Sequence, residues 1–401
     1  MEARALAAFA AGLLLAVPAS AHADVFNGRI AFSSFRSSPG ERTGDIFSVN
    51  HDGTDLRLLT TENKTEDDAQ SDWAPDGREI AYRIRKPGQT SNFEVSLMPA
   101  AGKDTKRLTF SPDGEASSQP TWWPDRSRLL FRRSRSRASE MWTMDLDGKN
   151  QAPVPDDPPG HQFYPSISPD GTRFLFASVK SPTGDTDRAI ETQAVTGGPV
   201  TTLFDFPGAF DSAPAWSPDG TRIAFQSNLD VFGVNPGSDA EIWVMNADGT
   251  NATMITNNTA HDEGPAWSPD GTMLAYSSGI DNEHLDITIM TADGVYIDTL
   301  TDYAGRDESP DWQPIPAPDT ERRCAGDVRA AEVRCRKALR LAARWADGDR
   351  LHRWDVEAED FGGVTRVILT RGGKHGHRHG GRRERVVTFL HQPAAAMPEA
   401  S

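Results

Sequence analysis

An all-β chain of six four-stranded modules closed into a ring is the fold class this sequence predicts, and three observations predict it. First, the stretch from Pro214 through Trp216-Ser217-Pro218-Asp219-Gly220 to Phe225 returns nearly verbatim from Pro265 to Tyr276. Worn copies surround Trp73, Trp122, Ile167 and Trp312, at intervals of 45 to 51 residues. Periods of that size mark propellers or solenoids. Second, each copy reads as a hairpin: an apolar run ending in Trp, then a turn in which Pro presets φ and Gly supplies a positive φ, then a second apolar run. Third, the array opens with Gly28-Arg29-Ile30-Ala31-Phe32, a second strand without its first, and ends with Ser309-Pro310-Asp311-Trp312, a first strand without its second. The two halves complete one module, which predicts a six-bladed β-propeller sealed by pairing of the Trp312 segment with the N-terminal blade.

Within a blade the elements follow in order. Second strands are expected near residues 30, 80, 130, 175, 224 and 275. A third strand such as Glu241 to Met245 comes next, then a tight turn such as Ala247-Asp248-Gly249, and a short last strand ending near Ile255-Thr256. The turn carboxylates Asp76, Asp125, Asp170, Asp219 and Asp270 are read as caps of their own turns. The Trp series is read as packing, since burying about 200 Å² at roughly 25 cal/mol/Å² is worth up to about 5 kcal/mol per ring. Arg126 stands where the other turns have Gly. The loops between second and third strands differ from blade to blade, so the face that carries them is where a site is expected.

The repeat resembles the Trp-Ser-Pro-Asp-Gly, WD-like repeat of the TolB propeller of the bacterial envelope, over roughly residues 28 to 316. That resemblance implies a propeller and an envelope setting. Similar propellers also occur in prolyl-oligopeptidase-type peptidases and some polysaccharide lyases, so the motif speaks for fold more than for activity. The α/β domain that precedes the propeller in that family is expected to be missing, because the first propeller strand follows close on the leader.

Residues 5–17 form an apolar run too short to span a bilayer, followed by Pro18 and the small-x-small pattern Ala21-His22-Ala23. Residues 1–23 are therefore read as a signal peptide, with periplasmic or secreted localisation and no membrane span once it is cut. The chain has a formal net charge of −16. Residues 317–401 hold 17 Lys and Arg against 12 Asp and Glu, leaving the propeller, residues 24–316, strongly acidic. An acidic ring argues against nucleic acid as a partner and suits a monomer. After the linker Pro314-Ile315-Pro316-Ala317-Pro318, residues 317–401 read as a small α+β or disordered appendage. It has helical character from Thr320 to Ala346 and a strand pair at Val364 to Leu369 and Arg385 to Leu390. Cys324 and Cys335 are a possible disulfide in an oxidising compartment. On one continuous helix they would stand about 16 Å apart, so a bridge requires a turn between them.

Candidate site residues come from the channel mouth. Five positions before each marker lie Asp68, Ser117, Gln162, Asp211, Asp262 and Asp307, and one position earlier lie His161 and His261. Four carboxylates at one opening are expected either to attract a counter-charge or to satisfy nearby backbone N–H groups. Arg83, Arg85, Lys86, Arg132, Arg133, Arg135 and Arg137 form a basic loop patch across the mouth, fit for an acidic protein surface or anionic glycan. The expected cofactor is none, with a divalent cation at His161 and His261 as the weaker alternative. The chain contains no Gly-x-Ser-x-Gly, no His-Glu-x-x-His and no Gly-x-x-x-x-Gly-Lys. The function expected is a non-catalytic scaffold that binds an envelope protein or glycan at its loop-rich mouth. The competing reading is a metal-assisted polysaccharide lyase or hydrolase.

Overall fold

The computed structural model describes residues 25–36, 43–60, 67–85, 92–135, 138–157, 160–180, 187–229, 239–281 and 283–316, with three further strands at 354–361, 364–371 and 383–390. The leader expected at residues 1–23, Cys324 and Cys335, and the helical stretch expected from Thr320 to Ala346 lie outside the described residues. Among the described residues every regular element is a strand. Blade 1 holds β1 (Val25–Ser34), β2 (Asp45–Asn50) and β3 (Arg57–Leu58), and blade 2 holds β4 (Asp67–Trp73), β5 (Glu79–Arg85), β6 (Phe93–Pro99) and β7 (Lys106–Arg107). Blade 3 holds β8 (Glu115–Trp122), β9 (Arg128–Arg135), β10 (Ala138–Asp145) and β11 (Ala152–Pro153), and blade 4 holds β12 (Gln162–Ile167), β13 (Arg173–Val179), β14 (Arg188–Ala194) and β15 (Thr201–Phe204). Blade 5 holds β16 (Ser212–Trp216), β17 (Arg222–Ser227), β18 (Glu241–Asn246) and β19 (Thr253–Met254), and blade 6 holds β20 (His261–Trp267), β21 (Met273–Asp281), β22 (His284–Thr291) and β23 (Tyr296–Thr299). The last propeller strand, β24 (Asp307–Pro316), joins blade 1, whose order is β24-β1-β2-β3.

That seam is the closure the repeat count predicts. Ile30 faces Trp312, Val25 faces Pro316 and Ser34 faces Asp307. Side chains tighten it: Gln313 Nε2 donates to the Gly77 carbonyl at 2.8 Å, reaching from the seam into blade 2. Gly28 is required here, because a Cβ would sit 2.8 Å from the Gln313 carbonyl oxygen. The apolar cores lie between neighbouring blades rather than inside them. One cluster joins Ile30, Phe32, Phe47 and Trp312 of blade 1 to Ala275, Ile287 and Ile289 of blade 6. Trp122 of blade 3 packs with Ala81, Val95 and Leu97 of blade 2 in the same manner.

Every innermost strand carries a bulge at the same place. Gln70, Gln119, Tyr164, Ala213, Gly264 and Ser309 all have φ between 48° and 63°, three residues before the marker, where the ladder register shifts. The extra residue bends the strand and re-aims the side chains on either side of it. The N–H groups freed from the ladder find side chains: Tyr164 N donates to Gln119 Oε1 at 3.0 Å and Gly264 N to Gln226 Oε1 at 2.9 Å. In five of the six copies the next residue is proline, which has no N–H to lose.

The turn acids behave as caps. Asp219 Oδ1 accepts from Thr221 N at 3.0 Å and from Ser217 Oγ at 2.6 Å, and Asp170 and Asp270 repeat the pattern. Arg126 adopts the positive φ of its missing glycine, 58°, and turns this to use by pairing with Asp76 at 3.2 Å and with Glu79 of blade 2. Beyond the ring, β25 (Trp354–Phe361), β26 (Val364–Arg371) and β27 (Arg383–Leu390) form an antiparallel sheet in that order. The expected strand pair is β26 with β27, and β25 adds a strand the sequence reading did not include.

Candidate functional site: the channel and its two mouths

Side chains alternate along each inner strand, and the alternation decides which of them reach the channel. The six residues five positions before the markers point into the blades. Asp68, Ser117, Gln162, Asp211, Asp262 and Asp307 are 0 to 2% exposed. Asp211 Oδ1 accepts from Ser227 Oγ at 2.5 Å, Asp262 Oδ2 accepts from Asn258 Nδ2 at 2.8 Å, and Asp307 is paired with Arg36. Gln162 is tied through its backbone, its N–H donating to Ser139 Oγ at 2.8 Å and its carbonyl accepting from Arg132 Nε at 2.8 Å. Burial pushes the Asp211 carboxyl up to about 7, and burial raises Asp262 and Asp307 as well. These groups do not form an exposed acidic ring at the mouth. They hold the entries of the inner strands.

In blades 1 and 6 the residues one position before and one after them, Arg306, Glu308, His261 and Glu263, carry the polar lining on the loop side. Arg306 of blade 1 bridges to Glu263 of blade 6 at 3.0 Å and to Glu308, with Nε at 2.8 Å from Glu308 Oε2. His261 Nε2 lies 3.2 Å from Glu263 Oε2. Burial raises the Glu308 carboxyl, and Arg306 beside it works the other way. In blade 2 Arg83 and Arg85 stand 3.2 and 3.7 Å from Asp67. In blade 4 Phe163 is covered by two guanidinium groups, Arg132 at 4.6 Å and Arg188 at 4.4 Å from the ring centre, and Arg188 also lies 4.0 Å from the Phe210 ring. Such contacts are worth about 0.5–2 kcal/mol each, depending on desolvation. Tyr164, at the bulge, sits among Glu263, Glu308, Arg83 and Arg188, charges contributed by blades 6, 1, 2 and 4, and its hydroxyl is raised first of all by burial. The collar is therefore mixed in charge, with its acidic side on blades 6 and 1.

The basic loop patch is correspondingly less free than its sequence suggests. Arg133 and Arg135 both meet Glu115, at 3.1 and 2.5 Å, and Arg133 also stacks over Trp142 at 4.6 Å. Lys86 and Arg137 lie outside the described residues. His161 stacks on Phe163, and His261 is engaged by Glu263. Among the described residues no group of three or more His, Cys, Asp and Glu has an arrangement that holds a metal ion.

A cavity of about 560 Å³ opens on the opposite face, among the regular turns. Its wall is made of the tryptophans of the inner strands and the turn prolines, including Pro75, Pro124 and Pro218, with Tyr164 and Gln119 at its inner end. Among the described residues that line it, Asp72 and Asp311 are the only ionisable acids. Asp72 Oδ2 accepts from the backbone N–H of Trp122 at 2.8 Å, and Asp311 Oδ2 accepts from that of Trp73 at 2.5 Å. Each carboxyl thus ties its inner strand to that of the next blade, and Asp311 reaches the very amide that joins Asp72 to Trp73. Burial pushes Asp72 up to about 7, and burial together with the Asp72 charge raises Asp311 well above the usual carboxylate range. The sequence contained a signal for this pair: Asp precedes the marker Trp in two copies, where the others have Thr, Ser or Ala.

Sheet order, seam and channel define a closed six-bladed β-propeller. A family model described as the TolB beta propeller domain matches residues 159–314. An uncharacterised protein of Agrobacterium fabrum is 30% identical over 161 residues, covering 38% of this chain and 52% of that one. The Tol-Pal system protein TolB of Francisella tularensis is 26% identical over 201 residues, covering 49% of this chain and 43% of that one. The chain spans about half or less of the length of these curated relatives. Among solved structures, TolB from Acinetobacter baumannii aligns over 71% of this chain and 66% of its own, with a TM-score of 0.59 at 22% identity, a likeness of fold. The ring is a TolB-like β-propeller.

Proposed function

We propose that the protein is an exported, non-catalytic scaffold that binds a protein or glycan of the cell envelope at the loop-side mouth of its channel. The observation that carries this reading is the collar itself. Arg132 and Arg188 lie against the Phe163 ring in blade 4, and Arg306 bridges Glu263 and Glu308 in blades 6 and 1, so the loop side of the channel offers cations and carboxylates together. That combination suits recognition of a polar chain, with the charges setting orientation. The resemblance to TolB supports an envelope setting, and the leader at residues 1–23 supports export.

The experiment is a pull-down from envelope extract, and separately with purified envelope glycan, using the full chain and its Phe163→Ala variant at matched thermal stability. Retention of a partner that falls at least tenfold in the variant supports the reading. Equal retention by both proteins, or none by either, overturns it.

A further inference from the structure

The outer rim of blade 6 differs from that of every other blade. Strands β3, β7, β11 and β19 are two residues long, and β15 buries its Phe204. In contrast β23 is exposed along all four residues, and Val295, Tyr296 and Ile297 are 64, 60 and 43% exposed. It ends its sheet, so its outward N–H and C=O groups have no ladder partner among the described residues. An apolar, unprotected edge of this kind is a template for another strand.

Charge narrows what that strand is. From Ile223 to Gly305 the sequence has no Lys or Arg against 13 Asp and Glu, so blades 5 and 6 are strongly acidic, with Arg222 and Arg306 as the cations at the ends of that stretch. Around β23 itself Asp293, Asp298 and Asp302 are exposed. The same chain carries a segment of opposite sign. Residues 317–401 hold 17 Lys and Arg against 12 Asp and Glu. The three-stranded sheet there has two edge strands, β25 and β27. β25 brings Asp355, Glu357, Glu359 and Asp360, whereas β27 opens Arg383-Glu384-Arg385 and continues with Val386, Val387, Phe389 and Leu390. Only β27 matches an acidic, apolar partner. Residues 317–353 separate β24 from β25, a tether that extends to roughly 120 Å at about 3.3 Å per residue.

We propose that β27 docks along the free edge of β23 in the same chain, extending blade 6 by the sheet that β27 ends, with Arg383 and Arg385 on one face meeting the acidic rim and Val386 on the other beside Val295 and Ile297. The docked strand removes the exposed edge and partly neutralises the acidic sector.

The test is hydrogen exchange on the full chain, read on peptides covering 295–299 and 383–390. Both segments are expected to exchange at least tenfold more slowly than a solvent-exposed edge strand, at a rate independent of protein concentration. Arg383→Glu with Arg385→Glu removes the protection in both segments, and adding Asp293→Arg with Asp298→Arg restores it, while the melting temperature of the ring stays within a few degrees. Unprotected β23 amides in the wild type, or protection untouched by the charge reversals, overturn the assignment. Protection that grows with concentration alongside a dimer mass in light scattering places a second copy on the edge, which also overturns it.

Discussion

The Asp72 and Asp311 pair makes the ring's stability depend on pH in a direction opposite to that of ordinary surface carboxylates. In the folded ring burial raises the Asp72 carboxyl to about 7, against an ordinary value of 3.8. The folded state therefore binds more protons than the unfolded chain across that window. The stability this carboxyl contributes is whole below the unfolded value and is lost as pH climbs through about 7. A displacement of about three pH units at about 1.4 kcal/mol each sets an upper limit of ~4 kcal/mol, and solvent in the channel reduces the expectation to ~2 kcal/mol. Asp72→Asn keeps an acceptor oxygen for the Trp122 N–H and removes the titration. It is expected to match wild type near pH 4, to pull ahead progressively from there, and to exceed it by ~2 kcal/mol near pH 8, as read from urea unfolding of both full-length proteins at four pH values. Burial also raises Asp211 and Glu241, to about 7, and these tilt both proteins alike, so the difference between the two is the quantity that counts. A difference that stays constant between pH 5 and 8, or widens toward acid, refutes the linkage between this pair and closure of the ring.

Two further outcomes follow from the seam. Trp312, 2% exposed and shared between blades 1 and 6, is expected to cost about 3–5 kcal/mol on replacement by Ala, measured by urea denaturation. Gly77 has φ +66° and a Cβ there would meet the Pro314 carbonyl oxygen at 2.1 Å, so Gly77→Ala is expected to lose about 2 kcal/mol or more. Gly114→Ala, at φ +85° with nothing within 4 Å, is the control and loses about 1 kcal/mol from its backbone conformation alone, with melting temperature as the readout for both.

The blade count, the strand order and the seam were legible because each rests on local signals that repeat: the Trp, the Pro-Asp-Gly turn and a missing half-blade at either end. The bulge was not legible, because no one side chain marks it: Gln70 and Gln119, Tyr164, Ala213, Gly264 and Ser309 adopt one conformation with five chemistries. That hidden residue also explains the misplaced mouth. Counting five positions back from Trp73 or Trp267 assumes an unbroken alternation, and the extra residue shifts it. Asp68 and Asp262 thus turn into their blades, while Glu263 and Glu308 reach the collar. Arg83 and Arg133 were found as charges, but their partners Asp67 and Glu115 lie 16 and 18 residues away in sequence and are neighbours only through the ladder. The turn-side cavity was missed because regular turns read as scaffold, and its prolines and tryptophans are indeed scaffold.

Because Val25 and Pro316 are direct partners in one sheet, the circle of blades has no intrinsic starting point. β1 pairs with β2 on one side, but its other edge stays open until the strand made last arrives, so the two ends of the ring are reporters of its completion. A linker of a few residues across that junction, with new ends opened in any of the tight turns, would describe the same molecule by a circularly permuted sequence.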